Sequence, residues 1–103
     1  VTVTVADLVL DISARQITRN GKEIELWPIE FALLEFLMRH PNQVFNSDAL
    51  LHQVWKSEAS AGPEAVRTTI KRLRRRIDEG REDSLIKNIY GFGYKLEGEH
   101  SQA

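Results

Sequence analysis

The amino-acid sequence predicts an α+β domain made of an N-terminal antiparallel sheet, three helices and a C-terminal β-hairpin. Three patterns predict this class: polar and apolar residues alternate at the start, apolar residues recur at helical spacing in the middle, and a glycine-rich turn separates two strand-like segments near the end. The chain has 103 residues and no Cys, so it has room for one small domain without disulfide bonds.

The N-terminal sheet is predicted from residues 1–26. Residues 1–5 alternate Val with Thr, which is typical of a half-buried strand, and residues 8–12 continue the sheet. The pair Asn20-Gly21 then lies between two short alternating segments. Because Asn and Gly tolerate positive φ, this pair predicts a hairpin with a type I′ turn.

Two helices are predicted next. Pro28 suits the first turn of a helix, where its missing N–H needs no partner, and Pro41 prevents that helix from continuing. Asn46 or Ser47 can cap a second helix. A short polar loop, residues 56–63, follows it, so we expect the helices on either side of the loop to pack as neighbours.

The third predicted helix, from residue 64 to about residue 79, carries the main functional signal. Its apolar residues form one narrow stripe at helical spacing, made of Val66, Ile70, Leu73 and Ile77. Residues 65–77 also contain six basic side chains and no acidic one, although the net charge of the whole chain is −1. A polyanion would offset the repulsion between these cations. The alternative is a solvated helix face that pairs with the acidic residues after it, Asp78, Glu79, Glu82 and Asp83.

The C-terminal hairpin is predicted from residues 85–97, where two strand-like segments flank Gly91-Phe92-Gly93. We expect the domain to span residues 1–97. Residues 98–103 are then expected to form a polar C-terminal tail.

Catalysis and metal binding have no support in these residues. The three His residues lack the spacing of zinc ligands, and no Cys is present. Ser47-Asp48 is explained by helix capping rather than by a nucleophilic triad. We therefore expect no enzyme activity, no metal and no cofactor. No apolar run approaches the roughly 20 residues that span a bilayer, so no membrane partner is expected.

A helix pair whose second member is basic, followed by a hairpin tipped with Gly-aromatic-Gly, is typical of a winged helix-turn-helix. In this arrangement the sequence resembles the winged-helix effector domains of bacterial two-component response regulators of the OmpR/PhoB type. The resemblance is carried by residues 26–34, 54–55, 70–77 and 91–96. Each segment is weak alone, but their order and spacing together are specific.

The resemblance implies sequence-specific binding of duplex DNA for transcription regulation, with the third helix in the major groove and the hairpin wing on the backbone or in the minor groove. It implies base contacts by Arg67, Thr68 and Arg72. It implies phosphate contacts by Trp55, Thr69, Lys71, Arg74 and Arg75. The wing candidates are Asn88, Tyr90 and Phe92. The chemistry agrees in part, because Arg can bond guanine bidentately and Thr can offer its methyl group to thymine.

Some of these roles have alternatives. Trp55 also suits a core position beside the second helix, where its indole N–H would still seek an acceptor. Arg75 and Arg76 also suit a solvated helix face. Phe92 would be the more informative wing aromatic if it is exposed, whereas Tyr94 is expected to pack.

The resemblance also implies partners. These are double-stranded DNA with direct-repeat half-sites, an N-terminal receiver domain in the full-length protein, and RNA polymerase through a loop. The loop candidates are Lys56, Ser57, Glu58 and Ser60. Phosphorylation of the receiver would promote tandem binding. We therefore expect the isolated domain to be mostly monomeric and to form a tandem dimer on DNA. The resemblance also implies a cytoplasmic location.

The sequence departs from the family in three places. Trp27 stands where the family often has Thr, so the start of the first helix must be capped by another group or stabilised by packing. The position of Arg67 is commonly acidic, which leaves the base preference open. Tyr90 replaces the Arg that would enter the minor groove, and it lacks the charge that a narrow minor groove attracts.

The alternative function is a winged-helix protein-interaction module without sequence-specific DNA readout. It predicts neutral or apolar residues on the outer side of the third helix. The sequence has Arg67, Lys71 and Arg74 instead.

Overall fold

The N-terminal strands form an antiparallel meander, and one face of this meander is buried in the core. The computed structural model describes residues 1–103 and contains β1 (Thr2–Val5), β2 (Leu8–Asp11), β3 (Gln16–Arg19) and β4 (Lys22–Glu23). At the turn between β3 and β4, Asn20 has a φ of 53° and Gly21 a φ of 81°. Two consecutive positive φ angles are those of a type I′ turn, so the predicted hairpin is confirmed.

Three helices follow the meander. They are α1 (Pro28–Arg39), α2 (Ser47–Val54) and α3 (Pro63–Ile77). The apolar stripe of α3 lies inside the domain, since each of its four residues is at most 1% exposed. Both α1 and α2 pack against α3, and the packing of α2 against α3 is the one that the short loop between them predicts. None of the three helices combines the length and the apolar composition needed to cross a membrane.

A carboxylate caps the start of α1. Trp27 is the N-cap residue and has no side-chain acceptor, but Oε1 of Glu30 accepts the backbone N–H of Trp27 at 3.1 Å. This bond is one half of a capping box. The expectation that another group caps this helix is therefore confirmed.

The wing is the hairpin of β5 (Ile86–Ile89) and β6 (Gly93–Leu96). Phe45, in the link between α1 and α2, bonds to the outer side of β6 through two backbone hydrogen bonds with Tyr94, of 2.8 and 2.9 Å. Gly93 lies directly against this link with a φ of +140°, and a Cβ there would be 2.2 Å from the carbonyl oxygen of Phe45. The wing is thus tied to the helical part of the domain at its base.

The polar tail predicted for residues 98–103 is wrong in one respect. Residues His100–Gln102 form a strand, β7, that pairs with β1 and gives a five-stranded sheet in the order β4-β3-β2-β1-β7. All three side chains are exposed, as expected for a polar segment. The strand forms because β1 offers an unpaired edge of backbone donors and acceptors, which any extended segment can satisfy.

Candidate nucleic-acid interface

Six side chains of α3 form one continuous exposed surface, which we call the outer face. They are Glu64, Arg67, Thr68, Lys71, Arg72 and Arg75. A helix turns by about 100° per residue, so these positions cover the arc opposite the buried stripe. Burial of the stripe therefore determines which side chains α3 presents to a partner.

The outer face carries four cations and one carboxylate. Glu64 lies 3.9 Å from Arg67, but their side chains are 91% and 63% exposed, so solvent screens this pair. Lys71, Arg72 and Arg75 form no salt bridge with the rest of the chain. The positive charge of this face is therefore available to a partner.

The acidic residues after α3 do not neutralise the outer face. Asp78 faces Arg81 at 3.7 Å and accepts hydrogen bonds from Ser84 and from the N–H of Leu85. Arg76, which lies outside the outer face, pairs with Glu30 of α1 at 3.1 Å. The alternative interpretation, in which the acidic residues after α3 pair with its cations, is therefore wrong.

Thr69 does not belong to the outer face. It is 6% exposed, and its Oγ1 donates to the carbonyl oxygen of Ala65 at 2.8 Å. Its place beside the buried stripe turns the hydroxyl back onto the helix. The phosphate contact expected for Thr69 from the sequence is therefore corrected.

Trp55 packs in the core at the end of α2, where it is 6% exposed. Its indole N–H donates to no group of the chain, and this N–H is not enclosed by the protein. The indole ring of Trp55 is therefore a core residue, as the alternative interpretation of the sequence predicts. The N–H at its edge is left free to donate outward.

Arg74 binds the wing instead of facing outward with the other cations. Its Nη2 donates to the carbonyl oxygen of Ile86 at 2.7 Å and to Oδ1 of Asn88. Its Nε is enclosed and has no acceptor. Arg74 and Asn88 therefore bind each other. The sequence analysis had assigned them separate roles, a phosphate contact for Arg74 and a wing contact for Asn88.

The tip of the wing exposes two aromatic side chains. Tyr90 is fully exposed and Phe92 is 71% exposed, whereas Tyr94 is 9% exposed and packs as predicted. Sequence reasoning overlooked two further cations, Lys87 and Lys95, which are directly opposite each other in the β5–β6 register. Each wing strand carries one of these cations, and Lys95 pairs with Glu97 at 3.0 Å.

The remaining candidates lie between α2 and α3. Lys56, Ser57, Glu58 and Ser60 are all exposed, so this loop presents a polar surface. The chain contains no group of three or more His, Asp or Glu side chains placed to hold a metal ion.

Comparison with known proteins gives a consistent result. The sequence model of the family described as "Transcriptional regulatory protein, C terminal" matches residues 21–96. CusR of Escherichia coli K12, a transcriptional regulatory protein, is 41% identical over 93 residues, which are 90% of this chain and 41% of CusR. MtrA of Mycobacterium tuberculosis H37Rv, a DNA-binding response regulator, is 39% identical over 94 residues, which are 90% of this chain and 41% of MtrA. The chain thus spans about two-fifths of the length of these curated relatives.

The fold comparison agrees with the sequence comparison. The solved DNA-binding domain of E. coli CadC superposes with a TM-score of 0.86 at 30% identity, over 99% of this chain and 96% of that one. The fold and the exposed basic helix define a winged-helix effector domain of the OmpR/PhoB type, which confirms the resemblance seen in the sequence. The chain belongs to the family of C-terminal domains of transcriptional regulatory proteins.

Proposed function

We propose that this domain binds duplex DNA in a sequence-specific manner and regulates transcription as the C-terminal effector domain of a phosphorylation-controlled response regulator. The observation that carries the proposal is the outer face of α3, where four exposed cations have no strong partner within the domain. Each cation that neutralises a phosphate releases condensed counterions, so such a face gains affinity for DNA directly.

The geometry of α3 suits the major groove. A helix with its side chains is about 10–12 Å wide, and the groove is about 12 Å wide. Arg67, Thr68 and Arg72 are the proposed base contacts, because their side chains match groups on the edges of guanine and thymine. Lys71 and Arg75 are the proposed phosphate contacts, which fix the register of the helix in the groove.

Two further elements would extend the contact. The indole N–H of Trp55 is free to donate to a phosphate. The exposed ring of Phe92 and the hydroxyl of Tyr90 would meet the sugar-phosphate backbone or the minor groove. Because Tyr90 is uncharged, the wing adds less salt dependence than an arginine would.

The full-length protein would add the remaining partners. We propose an N-terminal receiver domain, in keeping with the greater length of the relatives and with the description of MtrA as a response regulator. Its phosphorylation would promote tandem binding to direct-repeat half-sites by domains that are monomeric alone. The exposed loop of residues 56–60 is the proposed contact for RNA polymerase. All of this would take place in the cytoplasm, without catalysis or a cofactor.

The test is binding of the 103-residue domain to a randomised pool of DNA duplexes at two salt concentrations, followed by sequencing of the bound fraction. We expect one enriched motif and an affinity that falls steeply with salt. Salt-sensitive binding without enrichment would reduce the proposal to non-specific DNA binding. Absence of binding would favour the alternative, a protein-interaction module.

A further inference from the structure

We propose that Arg74 is a positioning residue that holds the wing at a fixed distance and angle from α3, so that both elements contact the same DNA duplex. The inference rests on the proposed function. It replaces the phosphate contact expected for Arg74 from the sequence.

The contact joins two elements through one side chain. Arg74 lies on α3, and both of its acceptors, the carbonyl oxygen of Ile86 and Oδ1 of Asn88, lie on β5. Ile86 and Asn88 are two residues apart on β5, and one nitrogen of Arg74, Nη2, donates to both acceptors. The donors of a guanidinium have a fixed planar arrangement, so these bonds set an orientation as well as a distance.

The carbonyl oxygen of Ile86 has no other use in the wing. β5 pairs with β6 alone, in a sheet of two strands, so its other edge is unpaired. The N–H of Ile86 bonds to Oγ of Ser84 at 3.1 Å, and its carbonyl oxygen bonds to Arg74. Arg74 thus occupies a place on the strand edge that a third strand would take.

The surroundings of Arg74 argue against a purely stabilising role. Arg74 forms no salt bridge, and its Nε is enclosed without an acceptor. An enclosed donor without a partner costs free energy, and a neutral side chain would avoid that cost. What Arg specifically provides here is a rigid connection between α3 and the wing.

The test compares wild type with Arg74→Met, Phe92→Ala and the double variant, using a duplex chosen from the randomised pool. If Arg74 positions the wing, Arg74→Met lowers affinity about tenfold, and the double variant is little weaker than Arg74→Met alone. The dependence of affinity on salt stays unchanged. Hydroxyl-radical protection of the DNA is lost at the wing and kept where α3 binds.

A phosphate contact would give a different result. The slope of log affinity against log salt would fall by about one in Arg74→Met, and the two losses would add. That outcome would overturn the inference while leaving the proposed function intact. Failure of the wild-type domain to select any duplex would instead overturn the proposed function.

A second variant covers the case in which Arg74→Met does not fold, which thermal unfolding would reveal. Asn88→Ala keeps the guanidinium and removes one of its acceptors. We expect a smaller loss of affinity, an unchanged salt dependence and weaker protection at the wing. Protection at the wing equal to that of wild type would contradict the positioning role.

Discussion

Oε1 of Glu30, near the start of α1, lies 3.1 Å from Nε of Arg76, near the end of α3, and Glu30 is 1% exposed. The same oxygen accepts the backbone N–H of Trp27. One buried carboxylate therefore caps α1 and binds it to α3. Arg76 also donates from Nη1 to the carbonyl oxygen of Glu25 at 3.2 Å, so its charge is used within the domain and not on the outer face.

Replacing Glu30 should destabilise the domain. Glu30→Gln removes the carboxylate charge, so it weakens the bond from the N–H of Trp27 and leaves the charge of Arg76 without its ion-pair partner. We expect the free energy of unfolding to fall by about 1–3 kcal/mol. Arg76 is 40% exposed, which keeps the loss below that of a fully buried ion pair. Urea unfolding measures the change. In the control Glu82→Gln, at an exposed site without a salt bridge, the free energy of unfolding should change by no more than about 0.5 kcal/mol. If Glu30→Gln destabilised the domain no more than this control, the double role of Glu30 would be contradicted.

Asp7 should make stability depend on pH in the acidic range. Burial raises the pKa of its carboxyl, but hydrogen bonds and charge from Arg19 and Arg81 outweigh burial, and the net pKa lies below the ordinary value of 3.8. Because the folded pKa is below the unfolded one, the stabilisation is fully present above the unfolded value. It is lost as pH falls through 3.8 toward the folded pKa.

The variant Asp7→Asn tests this pH dependence. Its free energy of unfolding should fall below that of wild type at neutral pH, and the difference should shrink as pH falls below about 4. Unfolding curves at a series of pH values measure the difference. Asp83→Asn, at an exposed site, serves as the matched control. If Asp7→Asn lowered the free energy of unfolding by the same amount at pH 7 and at pH 3, the two arginines would not stabilise the carboxylate.

Arg72 and Lys71 should respond differently to substitution because one is proposed to read a base and the other to bind a phosphate. Arg72→Ala should cost about 1–3 kcal/mol on the selected duplex and relax the preference at one base pair. Lys71→Ala should weaken binding to all duplexes alike and lower the salt slope by about one. Titration against selected and random duplexes measures both. Equal losses on the two kinds of duplex for both variants would refute the division of roles.

Glu64 is the single carboxylate of the outer face, so its removal should strengthen DNA binding. Glu64→Gln removes a repulsion from nearby phosphates at a 91% exposed site, and we expect affinity to rise roughly twofold. Asp83→Asn changes the net charge equally at a site outside the outer face. An equal gain for both variants in a DNA titration would mean that only net charge matters. Weaker binding by Glu64→Gln would mark Glu64 as a base contact.

Gly93 should tolerate no side chain. In Gly93→Ala the new Cβ would be 2.2 Å from the carbonyl oxygen of Phe45, so the wing must separate from the link between α1 and α2. We expect a loss of more than about 3 kcal/mol. Gly91→Ala has a φ of +81° but no atom within 4 Å of the new Cβ, so it should lose only about 1–2 kcal/mol. Thermal unfolding compares the two, and similar losses would show that the close contact has no effect.

Local patterns predicted most of the fold. The stripe of α3 and the Asn20-Gly21 turn each depend on residues close together in sequence, and both are present as predicted. β7 was missed because it is held by backbone pairing with β1, and its side chains carry no apolar alternation. An edge strand of this kind becomes visible only when the position of its neighbour is known.

The candidate site was predicted less completely. Helical spacing identified the outer face, including Arg67 and Lys71, because a single buried stripe fixes the rotation of the helix. Thr69 was assigned wrongly because it borders the stripe, where neighbouring helices decide which side is covered. The role of Arg74 depends on where β5 lies relative to α3, and no local pattern contains that distance.

The pairing of β7 with β1 brings the two ends of the chain side by side. Thr2 and Ala103 exchange two backbone hydrogen bonds, of 2.9 and 3.0 Å, so the domain itself nearly forms a ring. A short glycine linker joining Ala103 to Val1 would let the chain be opened elsewhere, and the exposed loop before α3 is a suitable place. A permuted domain of that kind would begin with α3 and end with α2, with every contact between them preserved. The helix-turn-helix arrangement would then be held by packing alone.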